Sequence, residues 1–150
     1  MARISKAAER RKRRQKEREA VSPPVASPPE NSPPPPPQSN TPEMMQTAIG
    51  HHMAGRFQEA ESIYHQALAQ HPDLPDAIHL LGVIRHQTGN HEEAVEYISK
   101  AISLNDSQSV YHSNLGAALL SMGKNDEAIE RFTRAIALDP NNADAHLNIA

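Results

Sequence analysis

The sequence predicts an all-α protein: a solenoid of antiparallel helix pairs, three complete units and the start of a fourth, behind a disordered basic, proline-rich N-terminus. Three observations predict it. Columns of residues recur every 34 positions from residue 41 onward, apolar residues inside each period follow helical spacing, and the composition changes abruptly near residue 40. A fixed period of about 20 to 50 residues marks stacked units, each too small to bury its apolar face alone. The predicted boundaries are a basic tail at 1–20, a proline-rich linker at 21–40, units at 41–74, 75–108 and 109–142, and a partial unit at 143–150.

The tail and the repeats carry opposite charge. Residues 1–20 hold nine Lys and Arg against three Glu, a net of +6, whereas residues 41–150 sum to -8, so the total of -3 describes neither part. The tail is rich in helix formers but has no apolar stripe to dock, and a solvated basic segment is expected. Residues 3–18, with the run Arg10 to Lys16, are expected to make weak, salt-sensitive contact with nucleic acid or an anionic surface. No aromatic stands in that run to stack on a base, so base readout is not expected. The run would also pass for a nuclear localisation signal in a nucleated cell.

The linker holds nine of the thirteen prolines, including Pro33 to Pro37. Proline fixes φ and removes a donor, so an extended polyproline II spacer of roughly 60 Å is predicted at about 3.1 Å per residue. Five consecutive prolines also satisfy P-x-x-P, but a spacer is the reading favoured.

Several classes are excluded at once. Without cysteine the chain has no disulfide framework, no thiolate zinc site and no Cys nucleophile. No run approaches the roughly 18 apolar residues of a membrane span, and the basic start leads into charge and proline, not a secretory signal. A cytoplasmic address is expected.

Within the repeats, each column suggests its own physical role. Gly55, Gly89 and Gly123 sit where one helix must stop and its partner begin, a place for a left-handed cap. Ala60, Ala94 and Ala128, with Ala67, Ala101 and Ala135, let two helix backbones approach. The bulky column Tyr64, Ile98 and Phe132 fills the space beside them. Small residues recur at Ala48, Gly82, Gly116 and Ala150. Pro72 and Pro140 end the second helix of units one and three. Unit two has Asp106 at that place, and Asn105, Asp106 and Ser107 are expected to close its turn by bonding local backbone.

This pattern resembles the tetratricopeptide repeat. Leu115, Gly116, Gly123, Ala128, Phe132, Ala135 and Pro140 match its motif of a Leu-Gly pair, a Gly, a central Ala, an aromatic four residues later, another Ala and a closing Pro. The resemblance covers 41–142 as three units and 143–150 as the start of a fourth. Unit one departs from it with Thr47-Ala48 in place of Leu-Gly, and Met44 and His112 occupy the usual Trp column. Unit one is therefore expected to serve as a looser N-terminal cap. Leu138, Ile149 and their neighbours are expected to be exposed, with an added capping helix raising the melting temperature.

In such repeats the first helices line a concave face. Helical spacing puts Met45, Gln46, Ile49 and His52 on it in unit one, and Asp76, His79, Leu80, Val83 and His86 in unit two. Unit three supplies Val110, Ser113, Asn114, Ala117 and Leu120, and the fourth Asp144, Leu147 and Asn148. The residues proposed to touch a peptide are His79, Leu80, Val83, His86, Ser113, Asn114, Ala117 and Asn148. Asn114 and Asn148 lie one period apart and could begin an amide ladder gripping a peptide backbone. That ladder resembles the inner face of the O-linked N-acetylglucosamine transferases. A clamp for a C-terminal carboxylate is disfavoured, because Met45, Ile49, Leu80, Val110 and Asn114 stand where it would need Lys, Arg and ordered Asn. His79 and His86 share the stripe, which suggests a pH-tuned groove.

No metal is expected from the nine histidines, since no pair has i, i+4 spacing. Nucleotide-binding, zinc-protease and serine-hydrolase motifs are missing, so neither catalysis nor a cofactor is expected of these residues. The leading expectation is a protein-interaction scaffold binding an extended peptide or a helix. The alternative is the substrate-recruiting part of a larger O-linked N-acetylglucosamine transferase-like glycosyltransferase, or of a methyltransferase, whose catalytic domain follows residue 150.

Overall fold

The computed structural model describes residues 40–150. The tail and almost all of the linker lie outside them. The described chain holds seven α-helices and no strand. They are α1 (Thr41–Met53), α2 (Phe57–Gln70), α3 (Pro75–Gln87), α4 (His91–Leu104), α5 (Ser109–Ser121), α6 (Asn125–Leu138) and α7 (Ala143–Ile149). Each packs on its successor, most extensively within α1–α2, α3–α4 and α5–α6, and the first helices α3, α5 and α7 also touch in sequence.

The turn inside each pair is set by one glycine. Gly55, Gly89 and Gly123 have φ of 74°, 86° and 75°, the left-handed region that costs a residue with a Cβ. The next residue's N–H then reaches back five positions: Arg56 to His51 O at 2.9 Å, Asn90 to Arg85 O at 2.8 Å and Lys124 to Leu119 O at 3.0 Å. These bonds satisfy carbonyls that a helix end would leave bare. Between pairs the chain leaves the helix at His71, and at Asn105 and Asp139 it does so in extended conformation.

The turn after α4 differs from expectation in one respect. Asn105 Oδ1 accepts from Ser107 N at 3.2 Å, but the Asp106 carboxylate reaches beyond the turn, accepting from His112 Nε2 at 2.8 Å and Arg134 Nη2 at 3.2 Å. A buried imidazole and a nearby guanidinium are stronger donors than a solvated backbone N–H. The His112 bond, and then Arg134, hold the Asp106 carboxyl below the usual carboxylate range.

The alanine columns are fully enclosed, as are Tyr64, Ile98 and Phe132 beside them. Two small-residue positions show why the bulky column needs them. A Cβ on Gly116 would stand 2.7 Å from Phe132 Cε1, and one on Gly82 2.6 Å from Ile98 Cγ1. Two apolar clusters result, one around Tyr64, Leu81 and Ile84 and one around Ile98, Leu115 and Phe132, and Leu68 and Tyr97 touch both. At the α7 end Leu147 is 77 % exposed and Ile149 is exposed as well. Leu138, expected to be exposed, is half-buried at the end of α6, the helix on which α7 packs.

Tyr64 carries an untidy feature. Its hydroxyl is enclosed and has no hydrogen-bond partner among the described residues, and burial pushes its pKa up to about 12. Its column mate one period pair later is Phe132. Tyr64→Phe is expected to raise unfolding free energy by about 1 kcal/mol, because the desolvated hydroxyl returns nothing. Denaturant unfolding measures this, and a loss of stability would reveal an unseen partner for the hydroxyl.

Candidate functional site

The first helices α1, α3 and α5 enclose a groove of about 540 Å³, lined by Thr41, Pro42, Met45, Ile49, Leu74, Asp76, His79, Leu80, Val110 and Tyr111. Its walls are mostly aliphatic. Ile49 and Val110 are 38 % and 45 % exposed, so they meet the groove without being needed by the core. Leu80 is half-buried between groove and core.

Polar groups gather at the floor. Tyr111 donates its hydroxyl to Asp76 Oδ1, linking α5 to the start of α3. Burial, and then the Asp76 carboxylate, push the Tyr111 pKa well above its usual value, so the phenol keeps its proton. The His79 ring stacks on Tyr111 with centroids 4.3 Å apart and planes 26° from parallel. Asn114 Nδ2 lies 2.9 Å from His79 Nε2. A parallel bond, His52 Nε2 to Gln87 Oε1 at 2.7 Å, ties α1 to α3.

These contacts change the stripe predicted from helical spacing. His79 and Leu80 line the groove, and Val83, Ala117 and Asn114 are half-buried along the same side. Ser113 is only 3 % exposed, and His79 only 5 %. The reason is that a first helix has first helices as neighbours: α3 and α7 flank α5 and cover part of its stripe. His86 turns to His91, with Nδ1 atoms 3.0 Å apart, and does not line the groove. Asn148 donates to Asp144 O at 2.8 Å on its own exposed helix. Asn114 and Asn148 are therefore both engaged by neighbours, and Asn114 spends one amide hydrogen on His79. Tyr111 was not on the predicted stripe; its signal lay in Asp76, 35 residues earlier, one more than the period.

His79 does not act as a switch near neutrality. Burial lowers the His79 pKa to about 4, against the opposing pull of Asp76, and His52 lowers it further. Burial, and then His91, also lower that of His86. Among the described residues no three His, Asp or Glu converge to hold a metal ion.

The His79 shift makes a stability prediction with a definite sign. Between about pH 6.5 and 4 the unfolded chain binds a proton that the folded ring refuses, so stability falls as pH falls through that window. The loss amounts to roughly 2–3 kcal/mol. Melting temperatures from pH 7.5 to 4.5 should fall for the wild type and fall less for His79→Phe. Equal slopes would mean that the ring is protonated in the fold.

The residue pattern matches a model described as "TPR repeat" over 118–150 and one described as "Tetratricopeptide repeat" over 51–118. No match is found among curated protein sequences. Solved structures with similar folds include the first TPR of Spaghetti (RPAP3) bound to an HSP90 peptide, at 22 % identity, TM-score 0.68, covering 73 % of this chain and 86 % of that one. A Thermobaculum terrenum O-GlcNAc transferase mutant is similar at 27 % identity and TM-score 0.71, over 73 % of this chain but 21 % of that one. MamA is similar at 22 % identity and TM-score 0.66, covering 73 % and 64 %. With the period, the paired helices and the enclosed alanine columns, both model matches lead to one conclusion: the chain belongs to the tetratricopeptide repeat family.

Proposed function

We propose that this chain is a protein-interaction module that holds a peptide segment in the groove of α1, α3 and α5, with repeat units at 41–74, 75–108 and 109–142. The observation that carries this is the groove itself: about 540 Å³, walled by Met45, Ile49, Leu80 and Val110. Clefts of this size and lining suit apolar side chains, with a few polar groups setting orientation. Its acidic body, net -8 over residues 41–150, favours partners of opposite charge. A cytoplasmic setting and a separate electrostatic role for residues 3–18 belong to the same proposal.

The structure of the RPAP3 repeat holds an HSP90 peptide, which supports a peptide as the kind of ligand. The same chemistry does not transfer to a C-terminal carboxylate, since among the described residues no Lys or Arg lines this groove. A second reading is the recruiting part of a larger transferase; the Thermobaculum terrenum enzyme is 27 % identical over a match that covers 21 % of its length, which does not single that reading out. That reading loses force at the amides, because Asn114 and Asn148 are already bonded within the chain.

The test is selection of displayed 12-residue peptides on the full chain. Binders whose affinity is lost when Val110 becomes Glu are expected. Recovery of none, or of binders indifferent to that change, would contradict the groove.

A further inference from the structure

The groove floor holds one aromatic ring with an unused nitrogen. An amide nitrogen only donates, so with Asn114 Nδ2 at 2.9 Å from Nε2 of His79, Nε2 accepts and the ring proton resides on Nδ1. Nδ1 has no hydrogen-bond partner among the described residues. It is not among the fully enclosed unpartnered side-chain atoms, and the ring that carries it lines the cavity. Two neighbours hold the ring: Asn114 fixes the tautomer and Tyr111 the plane, and the Tyr111–Asp76 bond fixes Tyr111 in turn.

This donor stands among Met45, Ile49, Leu80 and Val110. In such surroundings an unpaired polar group is costly once water leaves, so an occupant that supplies an acceptor is favoured over one that does not. The charge of the inner wall decides which acceptor. The first helices α1, α3, α5 and α7 carry Glu43, Asp76 and Asp144, and their one Lys or Arg is Arg85. Arg85 is already ion-paired to Glu61 at 3.1 Å and Glu93 at 3.0 Å on the second helices. Among the described residues an anionic acceptor would meet the Asp76 carboxylate with no unpaired cation on the first helices, whereas a neutral main-chain carbonyl would not be repelled.

We infer that His79 selects the ligand of this groove: a peptide with one large aliphatic side chain among Met45, Ile49, Leu80 and Val110, an adjacent main-chain carbonyl accepting from His79 Nδ1, and Lys or Arg on its flanks. This rests on the peptide-binding reading above. The basic flanks answer the acidic wall and the net charge of -8 over residues 41–150. The titratable groups facing the ring are Asp76 on its own helix, Tyr111 from α5 and His52 from α1. Burial keeps the imidazole neutral to about pH 4, so His79 itself is expected to add no pH dependence to binding from pH 5.5 to 7.5.

The experiment uses the full chain and a peptide selected on it, resynthesised with an amidated C-terminus. Each peptide bond is changed in turn to an ester, which weakens the carbonyl as an acceptor and removes the N–H, and separately N-methylated, which removes only the N–H. One ester is expected to cost about tenfold in affinity while N-methylation at the same bond costs little. In His79→Phe, which keeps the stacked ring, that ester penalty should vanish. If His79→Phe fails to fold, Asn114→Ala replaces it: the imidazole loses its fixed tautomer and the penalty should shrink by half or more. A penalty that follows N-methylation, an ester penalty unchanged in these variants, or selected peptides with acidic flanks would overturn the role of His79. In those cases continued loss of binding in Val110→Glu leaves the groove reading standing, and binding that survives Val110→Glu removes both.

Discussion

Phe132→Ala is expected to lower the unfolding free energy by about 3–5 kcal/mol, the largest effect of any single truncation here. The ring is enclosed, belongs to the larger apolar cluster, and rests against the backbone of Gly116, where even one added carbon would collide with it. Removing it leaves a cavity that a glycine opposite cannot fill. A domain of this length has only about 0.05–0.15 kcal/mol of stability per residue, so a substantial share of the total would be lost. Stacked repeats respond locally, and the damage should be concentrated in α5, α6 and α7. Hydrogen exchange measures this: amides of α5 and α6 should lose protection while those of α1 and α2 retain more. A loss under about 1 kcal/mol would mean that the ring is not the plug of the α5–α6 seam.

Val110→Glu is expected to weaken peptide binding by roughly 30- to 100-fold while leaving the melting temperature within a few degrees. Val110 is 45 % exposed, so the folded chain tolerates a carboxylate there. A bound apolar side chain would strip water from it, a cost of about 2–3 kcal/mol. Titration calorimetry on both proteins, beside thermal melts, separates affinity from stability. Equal affinities would place the ligand elsewhere, and a collapsed melt would make Val110 a core residue.

The fold was legible because its determinants are local and periodic. A glycine at 55, 89 and 123 reports a left-handed turn wherever it stands, and alanines at 60, 94 and 128 report a close crossing without reference to distant residues. The groove was less legible because its chemistry lies between units. The stripe drawn from one helix placed Ser113 in the open and omitted Tyr111, since a single helix does not show which flank its neighbours cover. The links that matter join Asp76 to Tyr111, His79 to Asn114 and His52 to Gln87, each 35 residues apart. That offset is one more than the period, and a search for repeated columns passes over it. The same blindness made His79 look like a neutral-pH sensor. Its burial under Tyr111, which holds it uncharged, comes from the next unit.

Amide chemical-shift mapping of the full chain with a groove-selected peptide tests most directly whether the inner wall recognises a polypeptide. The expected result is a continuous set of shifts along α1, α3 and α5, strongest at Ile49, His79, Leu80 and Val110, with the outer faces of α2, α4 and α6 unmoved. Shifts confined to the outer helices or to residues 1–39, with the groove silent, would contradict it.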